Sequence, residues 1–165
     1  MIKTKEKLSK SDILGIFKSS GESNVGVEIE RLPINSKTFE AVSYDEGICE
    51  SLRQFAKEEN WDYITDDYNI IGLKQHHDTI TLEPGCQIEM SVKPEKNLTV
   101  LKQKTDSLTS SMTKILEEKG ITLLEYGVSP LTTYKNINLI PKRRYHIMAK
   151  YLWGILADVM RRETA

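Results

Sequence analysis

The stretch Ile80-Thr81-Leu82-Glu83-Pro84-Gly85-Cys86-Gln87-Ile88-Glu89-Met90-Ser91 decides how this chain folds. It reads as two strands joined by a turn, and the length of the turn sets which side chains share a face. With a two-residue turn, Pro84-Gly85, Glu83 would oppose Cys86 and Glu89 would fall beside Ile80 and Leu82, leaving both faces mixed. With a three-residue loop, Pro84-Gly85-Cys86, Glu83 opposes Gln87 and Thr81 opposes Glu89. Thr81, Glu83, Gln87, Glu89 and Ser91 then make one polar face, and Ile80, Leu82, Ile88 and Met90 one apolar face. A one-residue slip turns every side chain over, so a buried face selects register strongly. The three-residue loop is therefore expected. It puts Cys86 where a left-handed glycine is usual, at a cost of roughly 1–2 kcal/mol for a residue with a Cβ.

Working outward, residues 68–75 read as a strand, His76-His77-Asp78 as a turn, 79–83 as the returning strand and 87–92 as a third. This is an antiparallel meander, with a further edge segment between Trp61 and Thr65. Residues 25–32 alternate apolar and charged side chains with the period of a strand, and Pro33 is expected to stop it. Four stretches carry helical spacing. They are about 4–19, ended by Gly21, and 44–59, opened by a Ser43/Glu46 capping box with Ile48, Leu52, Phe55 and Ala56 as its buried stripe. The third is 95–119, whose Leu98, Leu101, Thr105, Leu108, Met112, Ile115 and Leu116 fall three and four apart before Lys119 and Gly120. The last carries Tyr145, Met148, Leu152, Ile155 and Val159 and reads as a single helix. Residues 121–128 read as a buried strand. This order predicts an α+β fold, helices packed on a largely antiparallel sheet.

The chain has 165 residues, with 23 Lys+Arg against 24 Asp+Glu. One domain is expected, with residues 1–24 as an N-terminal helix and linker. The near-balance of charge argues against a nucleic-acid binder. No run approaches the ~20 apolar residues of a membrane span, and no apolar stretch follows the basic N-terminus as a secretory signal requires. Two cysteines, Cys49 and Cys86, make neither a disulfide framework nor a four-ligand zinc site. A reducing, cytoplasmic location is expected.

The acidic residues carry the chemistry. In Gly26-Val27-Glu28-Ile29-Glu30 the two glutamates share a face, roughly 6.6–7 Å apart. A solvated surface strand shows the same alternation. If this strand lies beside the hairpin, Glu28, Glu30, Glu83 and Glu89 converge, and like charges on neighbouring strands repel unless a cation sits among them. Carboxylates without a His or Cys cluster suit a hard ion such as Mg²⁺, which usually completes its shell with substrate phosphates. A Mg²⁺–nucleotide site and a merely polar sheet surface both remain open from spacing alone.

Three segments together resemble the plant-type glutamate–cysteine ligase family. They are Gly26-Val27-Glu28-Ile29-Glu30, the 80–91 hairpin, and Ile140-Pro141-Lys142-Arg143-Arg144-Tyr145-His146-Ile147-Met148. The resemblance runs from about Val25 onward. It implies a partial glutamine-synthetase-like catalytic fold and ATP-dependent joining of the glutamate γ-carboxylate to the cysteine amine through an acyl phosphate. By it, Glu28, Glu30, Glu83 and Glu89 are metal ligands for Mg²⁺. Arg144 is the catalytic residue, and Arg144, Tyr145, Gln87 and Arg162 contact substrate. Glutamate, cysteine and ATP are the implied partners. Two positions depart from the family pattern: Cys86 and Arg143 stand where it has glycine, so a strained hairpin and a crowded pocket are expected. Family members are well over twice as long. The chain therefore reads as the N-terminal portion of such a ligase, with the missing C-terminal half or self-association covering its exposed surface. An acceptor other than cysteine, or a non-catalytic partner subunit, stays open.

Other features have plainer readings. His76-His77-Asp78 is a turn rather than a metal cluster. Cys49 and Cys86 are free thiols, and Lys142-Arg143-Arg144 is too short a basic run for nucleic acid.

Overall fold

Ile80, Leu82, Ile88 and Met90 are each at most 1% exposed, and the apolar face they form is the floor of the core. The computed structural model describes residues 9–16, 24–129, 131–152 and 154–164. Six strands, β1 (Val25–Asn35), β2 (Asp62–Asp66), β3 (Asn69–Gln75), β4 (Asp78–Leu82), β5 (Ile88–Glu95) and β6 (Ile121–Leu124), form one sheet in the order β2-β3-β4-β5-β1-β6. Every pairing is antiparallel. Helices α1 (Lys10–Ile16), α2 (Ile48–Glu59), α3 (Leu98–Glu117), α4 (Arg143–Tyr151) and α5 (Ile155–Arg162), with 3-10 turns at Tyr44–Glu46 and Tyr134–Asn136, complete the described elements. This is the α+β arrangement the element order predicts.

The hairpin takes the three-residue loop. Leu82 pairs with Ile88, Thr81 with Glu89 and Ile80 with Met90, while the Glu83 amide donates to the Gln87 carbonyl at 2.9 Å. Cys86 adopts a left-handed conformation with φ 74°. On the apolar face, Ile48, Leu52 and Phe55 of α2 and Met112, Ile115 and Leu116 of α3 pack against the sheet. Helix α2 starts one turn later than the spacing suggests. Residues Tyr44–Glu46 form a 3-10 turn, closed by the Ser43 amide donating to Glu46 Oε2 at 2.8 Å, and the α-helix begins after Gly47 at φ 123°. Helix α3 is capped by the Asn97 side chain, which accepts from the amides of Thr99 and Val100. Leu98, read as part of its stripe, is exposed.

Four expectations are corrected. Pro33 does not end β1, which runs on to Asn35 and exchanges partner β5 for β6. The Pro33 carbonyl accepts from Val42 N–H at 3.0 Å. In an extended strand the nitrogen and carbonyl of one residue point the same way, so the missing N–H faces Val42 and no bond to β6 is lost. Residues 121–128 are not one buried strand: β6 stops at Leu124 on the sheet's edge and residues 125–128 are exposed. The last helix is two helices, broken at Gly154, whose φ of 58° lies outside the helical region. The turn of the β3–β4 hairpin is only His76 and His77, because Asp78 already pairs with Gln75. Of the first helix, residues 10–16 are helical, and the rest of the expected span, with Gly21, lies outside the described residues.

Leu52 is fully buried between α2 and the sheet. Leu52→Ala is expected to lower unfolding stability by about 2–5 kcal/mol, measured by urea denaturation.

Candidate active site

The polar face of the sheet is ordered in rows by strand register. Glu30 of β1 lies opposite Glu89 of β5, which lies opposite Thr81 of β4, which lies opposite Gly72 of β3. Cross-strand neighbours have Cβ atoms about 4.5–5.5 Å apart, so Glu30 and Glu89 are adjacent carboxylates. Thr81 Oγ1 donates to Glu89 Oε1 at 2.9 Å and fixes that side chain. Glu28 sits one step further along β1, opposite Ser91, and is exposed in a separate hollow with His77.

The hairpin loop is buried, which is unusual for a turn, and its amides and the Pro84 carbonyl find partners inside the protein. The Cys86 amide donates to the Glu83 carbonyl at 2.9 Å, and Ile140 N–H donates to the Pro84 carbonyl at 3.1 Å. The Gly85 amide donates to Gln87 Oε1 at 2.7 Å. The Gln87 amide nitrogen donates in turn to the carbonyls of Met160 at 3.2 Å and Glu163 at 2.6 Å. Residues 140–152 and 154–164 therefore dock on the loop as a strap. A Cβ on Gly85 would stand 1.9 Å from the Arg161 carbonyl oxygen, so only glycine allows this approach.

The strap brings Tyr145 to the acids. Tyr145, 1% exposed, donates from Oη to Glu83 Oε1 at 2.8 Å. The same oxygen accepts from Lys142 Nζ at 3.0 Å and from Arg144 Nη2 at 3.2 Å. Both cations also lie over the Tyr145 ring, at 4.4 Å for Lys142 and 5.0 Å for Arg144. Burial, reinforced by the Glu83 carboxylate, pushes the Tyr145 hydroxyl well above its usual pKa. Burial pushes Lys142 down. Helix α4 is held in place from the far edge of the sheet, where Asp66 Oδ2 of β2 accepts from the Arg143 amide at 2.6 Å. This supplies the N-terminal cap that Lys142 lacks.

Between hairpin and strap opens a cleft of about 300 Å³, with Glu30, Glu83, Arg144 and Glu163 among its polar lining and Met148, Val159 and Met160 as its apolar wall. The structure brings together Glu30, Glu83, Arg144 and Tyr145, with Glu89 beside Glu30. It does not bring all four predicted carboxylates to one point. Among the described residues no three His, Cys, Asp or Glu side chains are grouped closely enough to hold a metal ion by themselves. The register explains this: Glu28 is a full step along the strand, and Tyr145 and Thr81 engage Glu83 and Glu89. The donors that remain, Glu30, Glu89 and Glu83, are hard oxygens. They fit Mg²⁺ in its ordinary form, one or two carboxylates completed by phosphates, rather than an all-protein cage. Gln87 has both amide hydrogens engaged by the strap, so it positions the loop. Arg162 donates to the Ser129 carbonyl at 3.3–3.4 Å and lines a different hollow with Asp158 and Ile155. Arg143, expected to crowd the pocket, is exposed and is not among the residues lining the cleft.

The acids on one face of the antiparallel sheet, and the arginine and tyrosine lowered onto them by a docked helix, come from the three segments that carry the family resemblance. The family model of Glutamate-cysteine ligase family 2 (GCS2) matches residues 24–160, and the chain belongs to that family. It is 33% identical over 151 residues to the chloroplastic glutamate–cysteine ligase of Medicago truncatula, covering 89% of this chain and 30% of that protein. It is 32% identical to chloroplastic glutamate–cysteine ligase B of Oryza sativa subsp. japonica, with 89% and 30% covered. To the chloroplastic enzyme of Nicotiana tabacum it is 33% identical, with 89% and 29% covered. The chain thus spans about 30% of the length of these relatives. Their names are chloroplastic, which overturns the cytoplasmic location read from the cysteines. Free thiols report the redox state of a compartment, not which compartment it is.

Two outcomes are expected. Gly85→Ala, by forcing the strap off the loop, lowers the melting temperature and exposes the amides of residues 140–164 to hydrogen exchange, while α2 and α3 stay protected. Tyr145 shapes alkaline stability. Below pH 10, the phenol's ordinary pKa, folded and unfolded chains both hold the proton. Above it the unfolded chain ionises first, so stability falls as pH rises. Tyr145→Phe is expected to cost about 1–3 kcal/mol at neutral pH and to flatten that alkaline decline in urea titrations from pH 8 to 11.

Proposed function

We propose that this chain supplies the glutamate-activating part of a glutamate–cysteine ligase. The γ-carboxylate of glutamate takes the terminal phosphoryl group of ATP, and the cysteine amine displaces phosphate to give γ-glutamylcysteine. The observation that carries the reading is the 2.8 Å hydrogen bond from Tyr145 to Glu83. Through it, two motifs 62 residues apart in sequence line one cleft.

Phosphoryl transfer asks for positioning and charge neutralisation more than for a protein nucleophile. One or two of Glu30, Glu83 and Glu89 would hold Mg²⁺, which when bound neutralises the phosphates of the nucleotide. Arg144, exposed at the rim, offers a planar fork for a carboxylate or phosphoryl group. The Tyr145 hydroxyl, held protonated by burial, acts as a fixed donor that holds the Glu83 side chain at the cleft. Met148, Val159 and Met160 form a wall that keeps water from an acyl phosphate.

A second reading, a non-catalytic partner that completes itself on another chain, is favoured by the exposed apolar side chains Tyr151, Ile155 and Leu156 on α4 and α5. ADP release by the purified protein, with Mg²⁺, ATP, glutamate and cysteine, separates the two. Release that needs both amino acids supports ligation. Release that ignores cysteine but responds to another amine moves the acceptor, and glutamate binding that is indifferent to nucleotide overturns the reading. For the site itself, Glu83→Gln keeps an acceptor for the Tyr145 hydroxyl while removing the charge. Its expected result is a melting temperature within about 2 °C of the parent, with Mn²⁺ affinity reduced about tenfold, or ~1.4 kcal/mol.

A further inference from the structure

Lys142 stands inside the charge pattern yet has no part in the chemistry above. It is half-buried, its ammonium donates to Tyr145 Oη at 3.0 Å, and it rests 4.4 Å above the ring of the same residue. That hydroxyl donates onward to Glu83 Oε1 at 2.8 Å, so one phenolic oxygen separates the ammonium from the carboxylate. Glu83, Glu89 and Asp66 attract the charge, while Arg144, which donates to the same phenolic oxygen, repels it.

We propose that Lys142 is a resident counter-cation for Glu83 and Glu89, so that the site discriminates against a bare divalent ion and admits one that arrives with a nucleotide. This rests on the reading of Glu30, Glu89 and Glu83 as ion ligands. Like charges on neighbouring strands repel, and the ammonium, attracted by Glu83 and Glu89, offsets part of their charge while no ion is bound. A divalent cation alone would join two positive side chains already sharing one phenol. A cation bound to a triphosphate brings its own negative charge, and the compact ammonium on its flexible stem can turn to meet it. The guanidinium of Arg144, planar and set on the same oxygen, keeps its place.

The test is titration of the chain with Mn²⁺, followed by the loss of the free-ion EPR signal, with and without ATP. Lys142→Met is expected to bind Mn²⁺ alone about tenfold more tightly than the parent, because a charge of the same sign has left its immediate surroundings. It is expected to lose most of the gain that ATP gives the parent. Lys142→Gln, which keeps a donor for Tyr145 Oη, should do the same and guards against a folding defect in the Met variant. Arg143→Met removes one positive charge from the neighbouring, exposed position and should leave both affinities within about twofold. Unchanged Mn²⁺ binding in both Lys142 variants, or an equal gain in Arg143→Met, overturns the proposal while leaving the ion site standing. Absence of Mn²⁺ binding from every protein, with or without ATP, overturns the ion site and the proposal together.

Discussion

The three-residue loop that closes β4 onto β5 is the constraint on which the rest depends. It holds only because Cys86 accepts a left-handed backbone, a conformation that costs a residue with a Cβ roughly 1–2 kcal/mol. In return the thiol is fully buried, and burying apolar volume of that size recovers a comparable amount. One residue fewer in the loop would turn Ile88 and Met90 away from α2 and α3 and send Glu89 into the core. Core and cleft are thus two outcomes of the same register.

What was legible in the sequence is what depends on near neighbours. The hairpin register, the meander and the buried stripes of α2 and α3 follow from periodicity, because each is decided within about ten residues. The misread boundaries share another origin. Pro33 looked like a stop because the sequence does not say which way its nitrogen faces, and that is settled only by Val42 on one side and β6 on the other. Residues 125–128 read as one strand with the segment 121–124 before them, yet they follow the last pairing with β1 and are exposed. Gly154 sits in the helical spacing of Leu152, Ile155 and Val159, and spacing alone does not reveal a positive φ.

The site divides in the same way. Glu30, Glu83, Arg144 and Tyr145 were legible as residue types in recognisable segments, and they meet in one cleft. The convergence of Glu28 with the other three was an extrapolation from a shared face, and a face is longer than a coordination shell. Lys142, Asp66 and the structural use of Gln87 were invisible for a common reason. Each depends on where the strap lands, and Arg143 meets Asp66 across 77 residues while Gln87 meets Met160 across 73. No local pattern encodes such a meeting. A weaker clue was available in Gly85, whose place in a turn already explained it, although contact with the Arg161 carbonyl demands it more strictly.

That contact also sets an order of assembly. The hairpin closes a loop of a few residues, whereas the strap must travel back over more than fifty to find it, and closure entropy grows with the length enclosed. The seat for Arg161 and the Gln87 amide therefore exists before the segment that occupies it arrives. The cleft lies between the two, so it closes no earlier than the strap docks.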